Sequence, residues 1–204
     1  MKLKILYSFA VLLFSFGVLF SSILRSASVK YSFNRPSENY QTRESKVTIP
    51  YDLPSTGNVS PGHFAWGMEV LRDKIWVLIT TNPAKKAEVL SLLADKRLVF
   101  AREQFIDGKA DDGMLTLVKA EGYLEKAVSS AEIAKNRGID TTNLLQKLAF
   151  SSLKHREVME ECVHYAPEDA QPIIIKEMGI PERLFTRVSN MIIETGGSAP
   201  VDPF

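Results

Sequence analysis

The stretch that decides the fold is NPAKKAEVLSLLADKRLVFAREQFIDGKADDGMLTLVKAEGYLEKAVSSAEIAKNRG, residues 82–138. Asn82 is a good helix cap, and Pro83 suits the first helical position, where its missing N–H costs nothing. Apolar residues then recur at steps of three, four and seven, which line one face of a helix: Ala87, Leu90, Ala94, Ala101 and Phe105. The pattern predicts a long helix that residues 107–110 interrupt.

A second long helix is predicted after this break. Asp111 or Asp112 starts it and places negative charge at the positive end of the helix dipole. Apolar residues follow at alternating steps of three and four until Gly138, which is predicted to end the helix in a left-handed conformation: Leu117, Ala120, Leu124, Ala127, Ala131 and Ala134. Because the connection is short, we expect the two helices to be antiparallel neighbours.

One further long helix is predicted before this hairpin in the sequence, and another after it. Ser60 and Pro61 start the earlier one, whose seam has the same spacing: Phe64, Met68, Leu71, Ile75 and Leu78. The later one follows capping candidates at residues 140–142, and its seam also steps by three and four: Leu145, Leu148, Ser152, His155, Met159 and Cys162.

The C-terminal part predicts one or two short helices that reach Glu194. Pro172 would kink or restart the first, Gly179 would stop it, and Pro181 would start the second, whose seam is Leu184, Val188 and Ile192. No segment alternates as a strand does. The predicted fold is therefore all-α, an antiparallel bundle of four long helices plus one or two short C-terminal helices, behind an N-terminal transmembrane helix.

The N-terminal segment is predicted to direct the protein to a membrane. Residues 5–24 carry no charge, and a helix of about 20 apolar residues crosses a hydrocarbon core of about 30 Å. The alternative is a cleaved secretory signal with a cut near residues 26–28. Lys2 and Lys4 favour a cytoplasmic N-terminus. We therefore expect a single-pass protein of the cell membrane with an extracytoplasmic C-terminal domain, or a secreted protein if the segment is cleaved.

The expected organisation has four parts: an anchor or signal at 1–25, a flexible linker at 26–59, the bundle at 60–194 and a disordered tail at 195–204. Tyr31, Phe33, Tyr40 and Tyr51 interrupt the linker, so parts of it are predicted to lie against the domain.

Composition limits the function classes. The 204 residues include 45% hydrophobic and 24% charged residues, as in an ordinary folded protein. The formal charge of +1 and the lack of a basic stripe argue against nucleic-acid binding. Cys162 is the only cysteine, so no intrachain disulfide can form.

The fourth predicted helix carries the candidate metal ligands His155, Met159 and Cys162, which share one face that a soft metal such as Cu(I) would accept. The same face is the apolar seam, in which Met and Cys are ordinary core residues and a histidine usually donates to a carboxylate or carbonyl. On the hairpin, Arg97 projects toward the central stripe and is predicted to pair with Glu121 or Glu125.

No catalytic signature occurs in the chain. It has no Gly-x-Ser-x-Gly elbow, no glycine-rich phosphate loop and no zinc pattern. We therefore expect a non-enzymatic protein with no cofactor and no catalytic or cofactor-binding residues.

Several motifs resemble a family. Residues 82–88 (NPAKKAE), 93–98 (LADKRL), 154–160 (KHREVME) and 166–170 (APEDA) are similar to an uncharacterised helical domain of bacterial cell envelopes, commonly found behind a signal or anchor. The likeness covers about residues 61–193. It implies a helical fold and an envelope location, and it brings no catalytic residues with it.

The expected function is a structural or partner-binding module of the cell envelope. Leu92, Val99 and Ile106 lie away from the central seam and need cover from another helix or a protein partner. Residues 5–24 would bind the lipid bilayer. The alternative is a small-ligand or metal-ion sensor that uses the fourth helix.

Overall fold

The computed structural model describes residues 31–33, 47–55 and 66–204, with side chains from Leu71 onward in the last range. In these ranges the regular elements are all helices, which confirms the all-α class: α1 (Trp66–Ile79), α2 (Pro83–Ile106), α3 (Ala110–Asn136), α4 (Thr142–Tyr165), α5 (Gln171–Glu177) and α6 (Gly179–Glu194). The predicted membrane segment at 5–24, the helix start at Ser60 and most of the linker lie outside the described residues. Among the helices described, not one has the length and apolar character needed to span a bilayer.

Helices α2 and α3 form the predicted hairpin, and their contact is the most extensive between described helices. Asn82 caps α2, since its Oδ1 accepts hydrogen bonds from the N–H groups of Ala84 and Lys85 at 3.0 and 3.1 Å. The turn passes through Gly108, whose φ of 72° suits a residue without a Cβ. All the seam residues predicted for these two helices are buried.

The end of α3 is also the predicted one. Gly138 has a φ of 73°, its N–H donates to the carbonyl of Lys135, and the N–H of Ile139 donates to that of Ala134. This pair of bonds is a Schellman motif, which satisfies carbonyls that the helix end would otherwise leave unpaired. Asp140 then accepts a hydrogen bond from the N–H of Thr142 at the start of α4.

The structure differs from the prediction in which helix completes the bundle. Helix α6 packs on α3 and α4, whereas α1 contacts only α2 among the described helices. The predicted seam of α1 is wrong for Leu71, Ile75 and Leu78, which are exposed. The spacing of apolar residues shows which of them share a face, but it does not show whether another element covers that face.

The C-terminal helices follow the prediction closely. Pro172 lies in the first turn of α5, where a proline is tolerated, so it starts the helix. Helix α6 begins at Gly179, two positions before the predicted Pro181, and the predicted seam residues of α6 are all buried: Leu184, Val188 and Ile192.

An extended segment at residues 47–55, called the strap below, lies against the bundle. Ile49 is buried in the core, and its N–H donates to Oε2 of Glu157 on α4 at 2.7 Å. The rings of Tyr31 and Phe33 stack on each other and pack on the core as well. The prediction that parts of the linker contact the domain is therefore confirmed for Tyr31, Phe33 and Tyr51, while Tyr40 lies outside the described residues.

Residues 195–204, expected to form a disordered tail, also pack on the bundle in the structure. The side chain of Gln146 donates to the carbonyl of Ser198 at 2.7 Å. Arg156 pairs with Asp202 at 3.1 Å, and its guanidinium lies 4.4 Å from the centre of the Phe204 ring.

Candidate functional site

A layer of buried polar side chains divides the apolar core into two clusters. The proximal cluster lies near the α2–α3 turn and includes Leu98, Leu117 and Met159. The distal cluster lies toward the other end of the hairpin and includes Leu90, Leu124 and Leu148. In the sequences of α2, α3 and α4, Asp95, Glu121 and His155 each lie between residues of the distal cluster and residues of the proximal cluster. This polar layer consists of Asp95 on α2, Glu121 on α3, and Ser151 and His155 on α4.

His155 joins the three helices of the polar layer. Its Nδ1 lies 2.7 Å from Oε1 of Glu121, and its Nε2 lies 3.3 Å from Oδ1 of Asp95. With both ring nitrogens facing carboxylates, an imidazolium can donate on both sides. The expectation that this seam histidine bonds to a carboxylate is therefore confirmed, with two carboxylates instead of one.

Asp95 collects the remaining hydrogen bonds of the layer. Ser151 donates its hydroxyl to Oδ1 of Asp95 at 2.8 Å, and Tyr51 of the strap donates its hydroxyl to Oδ2 at 2.6 Å. The Oε2 atom of Glu121 is buried and has no hydrogen-bond partner among the described residues. The strap is thus attached directly to the buried charges.

The electrostatics of the layer favour ionised side chains. Burial opposes the charged form of His155, but the Glu121 and Asp95 carboxylates outweigh it and raise the pKa of His155 to about 9. Burial likewise opposes ionisation of Asp95, but bonding to His155, Tyr51 and Ser151 lowers its pKa. Burial, with the charge of Asp95, raises the pKa of Tyr51. At neutral pH the layer therefore holds an ion pair with a neutral phenol.

The polar layer is suited to fixing the packing of the helices. His155, Glu121 and Ser151 are completely buried, so no substrate atom reaches them in this conformation. Charged hydrogen bonds in a low-dielectric interior are satisfied only when α2, α3 and α4 keep one register, because a shifted register would leave a buried charge unpaired.

The three candidate metal ligands lie on the inner face of α4 but face different surroundings. Both ring nitrogens of His155 are engaged by carboxylates, whereas Met159 and Cys162 pack in the proximal cluster. Burial raises the pKa of the Cys162 thiol, which disfavours the thiolate that a metal needs. Among the described residues, no group of three His, Cys, Asp or Glu side chains is arranged to hold a metal ion.

Arg97 was expected to pair with Glu121 or Glu125, and the structure gives it other neighbours. Its Nη2 lies 3.9 Å from Oδ2 of Asp73 on α1, and its guanidinium lies 4.9 Å from the centre of the Tyr123 ring. Glu121 bonds to His155 instead. The sequence prediction failed here because it considered only the hairpin partner of α2 and did not consider α1.

The outer surface of α1 is the second notable feature. Asp73 is buried, accepts a hydrogen bond from Arg72 at 2.8 Å and lies beside Arg97, while Val77 packs on the distal cluster. Away from these contacts, α1 carries five large apolar residues that are 41–77% exposed and are called the α1 face below: Leu71, Ile75, Trp76, Leu78 and Ile79. Five such residues on one short helix form an apolar patch of the kind that marks an interaction site.

The apolar stripe on α2 that the sequence suggested as a partner-binding surface is less exposed than expected. Ile106 is exposed at the end of α2, whereas Leu92 and Val99 are half-buried. The α1 face therefore offers more uncovered apolar area than the predicted stripe on α2.

Comparison of the chain with protein families, with curated proteins and with solved structures gave no match.

Proposed function

We propose that this chain is a non-enzymatic, partner-binding module of the bacterial cell envelope. In this proposal residues 5–24 form a single transmembrane helix, and the helical bundle lies outside the cytoplasm, where the α1 face docks a protein. The bundle counts four long helices if α1 continues back to Ser60. The envelope location rests on the uncharged N-terminal segment and on the resemblance to an envelope domain.

The α1 face is the observation that supports partner binding. Its five large apolar side chains are exposed on a helix that is held to the bundle from the other side by Asp73 and Val77. Exposing Leu78 and Ile79 to water forgoes roughly 1.5–3 kcal/mol for each side chain that a partner could bury. A surface of this kind is suited to docking.

The polar layer supports a non-enzymatic role. Its titratable groups are buried and already bonded to one another, so they are not available to a substrate. For the metal-sensor alternative, an ion at His155 would have to displace one of the two carboxylates, and it would need the buried Cys162 thiol to ionise. No observation in the described residues favours that alternative.

Photo-crosslinking in intact cells tests the proposal. A photoreactive amino acid at position 71 or 78 should capture a defined protein, because both side chains point away from the bundle. The same amino acid at position 193 is the matched control, since Ile193 on α6 is also a large exposed apolar residue but lies outside the α1 face.

An Ile75→Glu substitution should abolish capture from position 71 without changing the far-ultraviolet circular dichroism. If positions 71, 78 and 193 all capture the same products, or if nothing is captured at 71 and 78, the partner-binding function is wrong. Recovery of the intact chain in the soluble cytosolic fraction would contradict the proposed location.

A further inference from the structure

The α1 face has the geometry of one half of a helix–helix seam. Leu71, Ile75 and Leu78 are separated by steps of four and three and lie on one stripe. These steps are the repeat at which two helices pack side chains into each other's gaps. A branched Ile between two Leu residues also matches the alternation preferred at two-stranded seams.

The stripe is available for such packing because a different side of α1 contacts the bundle. Asp73 lies roughly 200° around the helix from Leu71, is buried, and faces Arg97 of α2. Val77 packs against the distal cluster on the same side. A docking helix would therefore approach a helix whose orientation is already set.

Two cationic side chains flank the stripe. Lys74 and Arg72 flank it on α1, and the Arg72 side chain is 60% exposed even while it bonds to Asp73. Burial, together with the nearby charges of Arg97 and Lys74, lowers the pKa of Lys119 on α3 against the opposing charge of Asp112. Arg72 and Lys74 are thus exposed cations beside the stripe and Lys119 lies near Lys74, whereas Arg97 is buried beside Asp73.

This charge pattern discriminates between possible occupants. A second copy of the chain would bring its own Lys74 and Arg72 to the same seam, and like charges beside a seam oppose pairing. A helix with acidic residues beside its apolar stripe would be attracted. A lipid surface would satisfy the charge and the apolar stripe alike, and the lipid arm of the nanodisc experiment separates it from a protein helix.

We infer that the α1 face binds an amphipathic helix of a second protein, in which acidic residues flank an apolar stripe with heptad spacing. The inference rests on the proposed partner-binding function and adds the chemistry of the partner to it.

A pair of synthetic helical peptides tests this inference on the full-length protein in zwitterionic lipid nanodiscs. Both peptides have the same Leu/Ile seam, with Glu at the flanking positions in one and Lys in the other. The protein carries Trp66→Phe, so that Trp76 on the α1 face is its only tryptophan. We expect the Glu peptide to shift the Trp76 emission to shorter wavelength in a saturable manner, and to bind about tenfold more tightly than the Lys peptide.

Two variants locate the binding. Leu78→Glu should weaken binding of the Glu peptide by about tenfold or more, because it places a charge in the seam. Ile193→Glu, which changes another exposed apolar residue, on α6, should leave binding unchanged. Both positions are exposed, so both variants should retain the far-ultraviolet spectrum of the parent protein.

Each other outcome overturns the inference and identifies what replaces it. Equal affinity for both peptides would mean that the α1 face binds apolar helices without a preference for the charge of the flanking residues. A Trp76 shift with anionic lipid in place of the peptides would indicate a lipid surface. Self-association that Leu78→Glu abolishes would indicate a second copy of the chain. If cellular crosslinking at positions 71 and 78 succeeds while the Glu peptide fails to bind, partner binding stands and only the acidic-helix inference is lost.

Discussion

At the scale of single residues, His155 is the side chain on which the polar layer depends. It lies between the Glu121 and Asp95 carboxylates, so a neutral residue there would leave two buried carboxylates facing each other. We expect His155→Gln to lower the free energy of unfolding by about 3 kcal/mol or more. Urea denaturation measures this change.

His164 provides the matched control for that substitution, since it is the other histidine of α4 and is only half-buried. His164→Gln should change stability by less than about 0.5 kcal/mol. Equal effects of the two substitutions would show that the bonds of His155 to its carboxylates contribute nothing particular to stability.

The pH dependence of stability should also reflect His155. Its pKa is higher in the folded protein, about 9, than the ordinary value of 6.5. A group of this kind stabilises the fold fully below its unfolded pKa, and the contribution is lost as pH rises through the folded pKa. We therefore expect the free energy of unfolding to decrease between about pH 6.5 and 9, by an amount on the order of 3 kcal/mol.

The acidic side of the pH dependence of stability should reflect Asp95. Because its pKa is lowered in the folded protein, its contribution is present above the ordinary value near 3.8 and is lost as pH falls below that. Denaturation curves across pH 3–10 would show both limbs. A His155→Gln protein that kept the same decrease on the alkaline side would assign that decrease to another group.

Sequence reasoning reached only part of this site. His155 was predictable as buried because it lies in the seam between Leu148 and Met159. The burial of Asp95 was not predictable, because Asp95 is one position away from the apolar stripe of α2. Its contact with His155 depends on how far each helix is rotated about its axis. Periodicity carries no information on that rotation.

At the scale of elements, one glycine inside α3 and one just after its end should respond in opposite directions to the same substitution. Gly138 has a φ of 73° in its Schellman motif, so Gly138→Ala should destabilise the protein by about 1–2 kcal/mol. Gly122 lies inside the helix, and an added Cβ would meet nothing within 4 Å. Gly122→Ala should therefore stabilise it by about 0.5–1 kcal/mol. Thermal unfolding of both variants measures the two signs, and shifts in the same direction would contradict the assigned helix end.

The predicted elements differ from the observed ones mainly in α1. Local signals identified the cap of α2, the start of α4, the end of α3 and the seams of α2, α3, α4 and α6, because capping and amphipathicity are properties of short segments. The apolar stripe of α1 looked the same as those seams. The exposure of this stripe depends on tertiary packing. Helix α6, and not α1 as expected, packs on α3 and α4 and completes the bundle.

At the scale of the whole molecule, stability should be unevenly distributed. Helices α2, α3 and α4 supply most of the buried residues, whereas Asp73 is the only buried residue of α1 from Leu71 onward. Segments with few buried contacts open at lower free energy than the core. Hydrogen exchange followed by mass spectrometry should therefore show faster exchange of amides 71–79 than of amides 114–131 in the absence of a partner.

The Glu-flanked peptide should slow exchange in α1 if it docks on the α1 face. Equal protection of α1 and α3 in the free protein would mean that α1 is as stable as the core, and that its exposed apolar face does not weaken it.

The strap has a practical consequence for any attempt to produce this domain alone. Sequence periodicity places the start of the bundle at Ser60, and an expressed fragment beginning there would lack both Ile49, which fills part of the distal cluster, and Tyr51, which donates to Asp95. Such a fragment would expose part of its interior to solvent and would be prone to aggregate. A fragment that begins at Tyr31 keeps both residues and is the better choice for biochemical work.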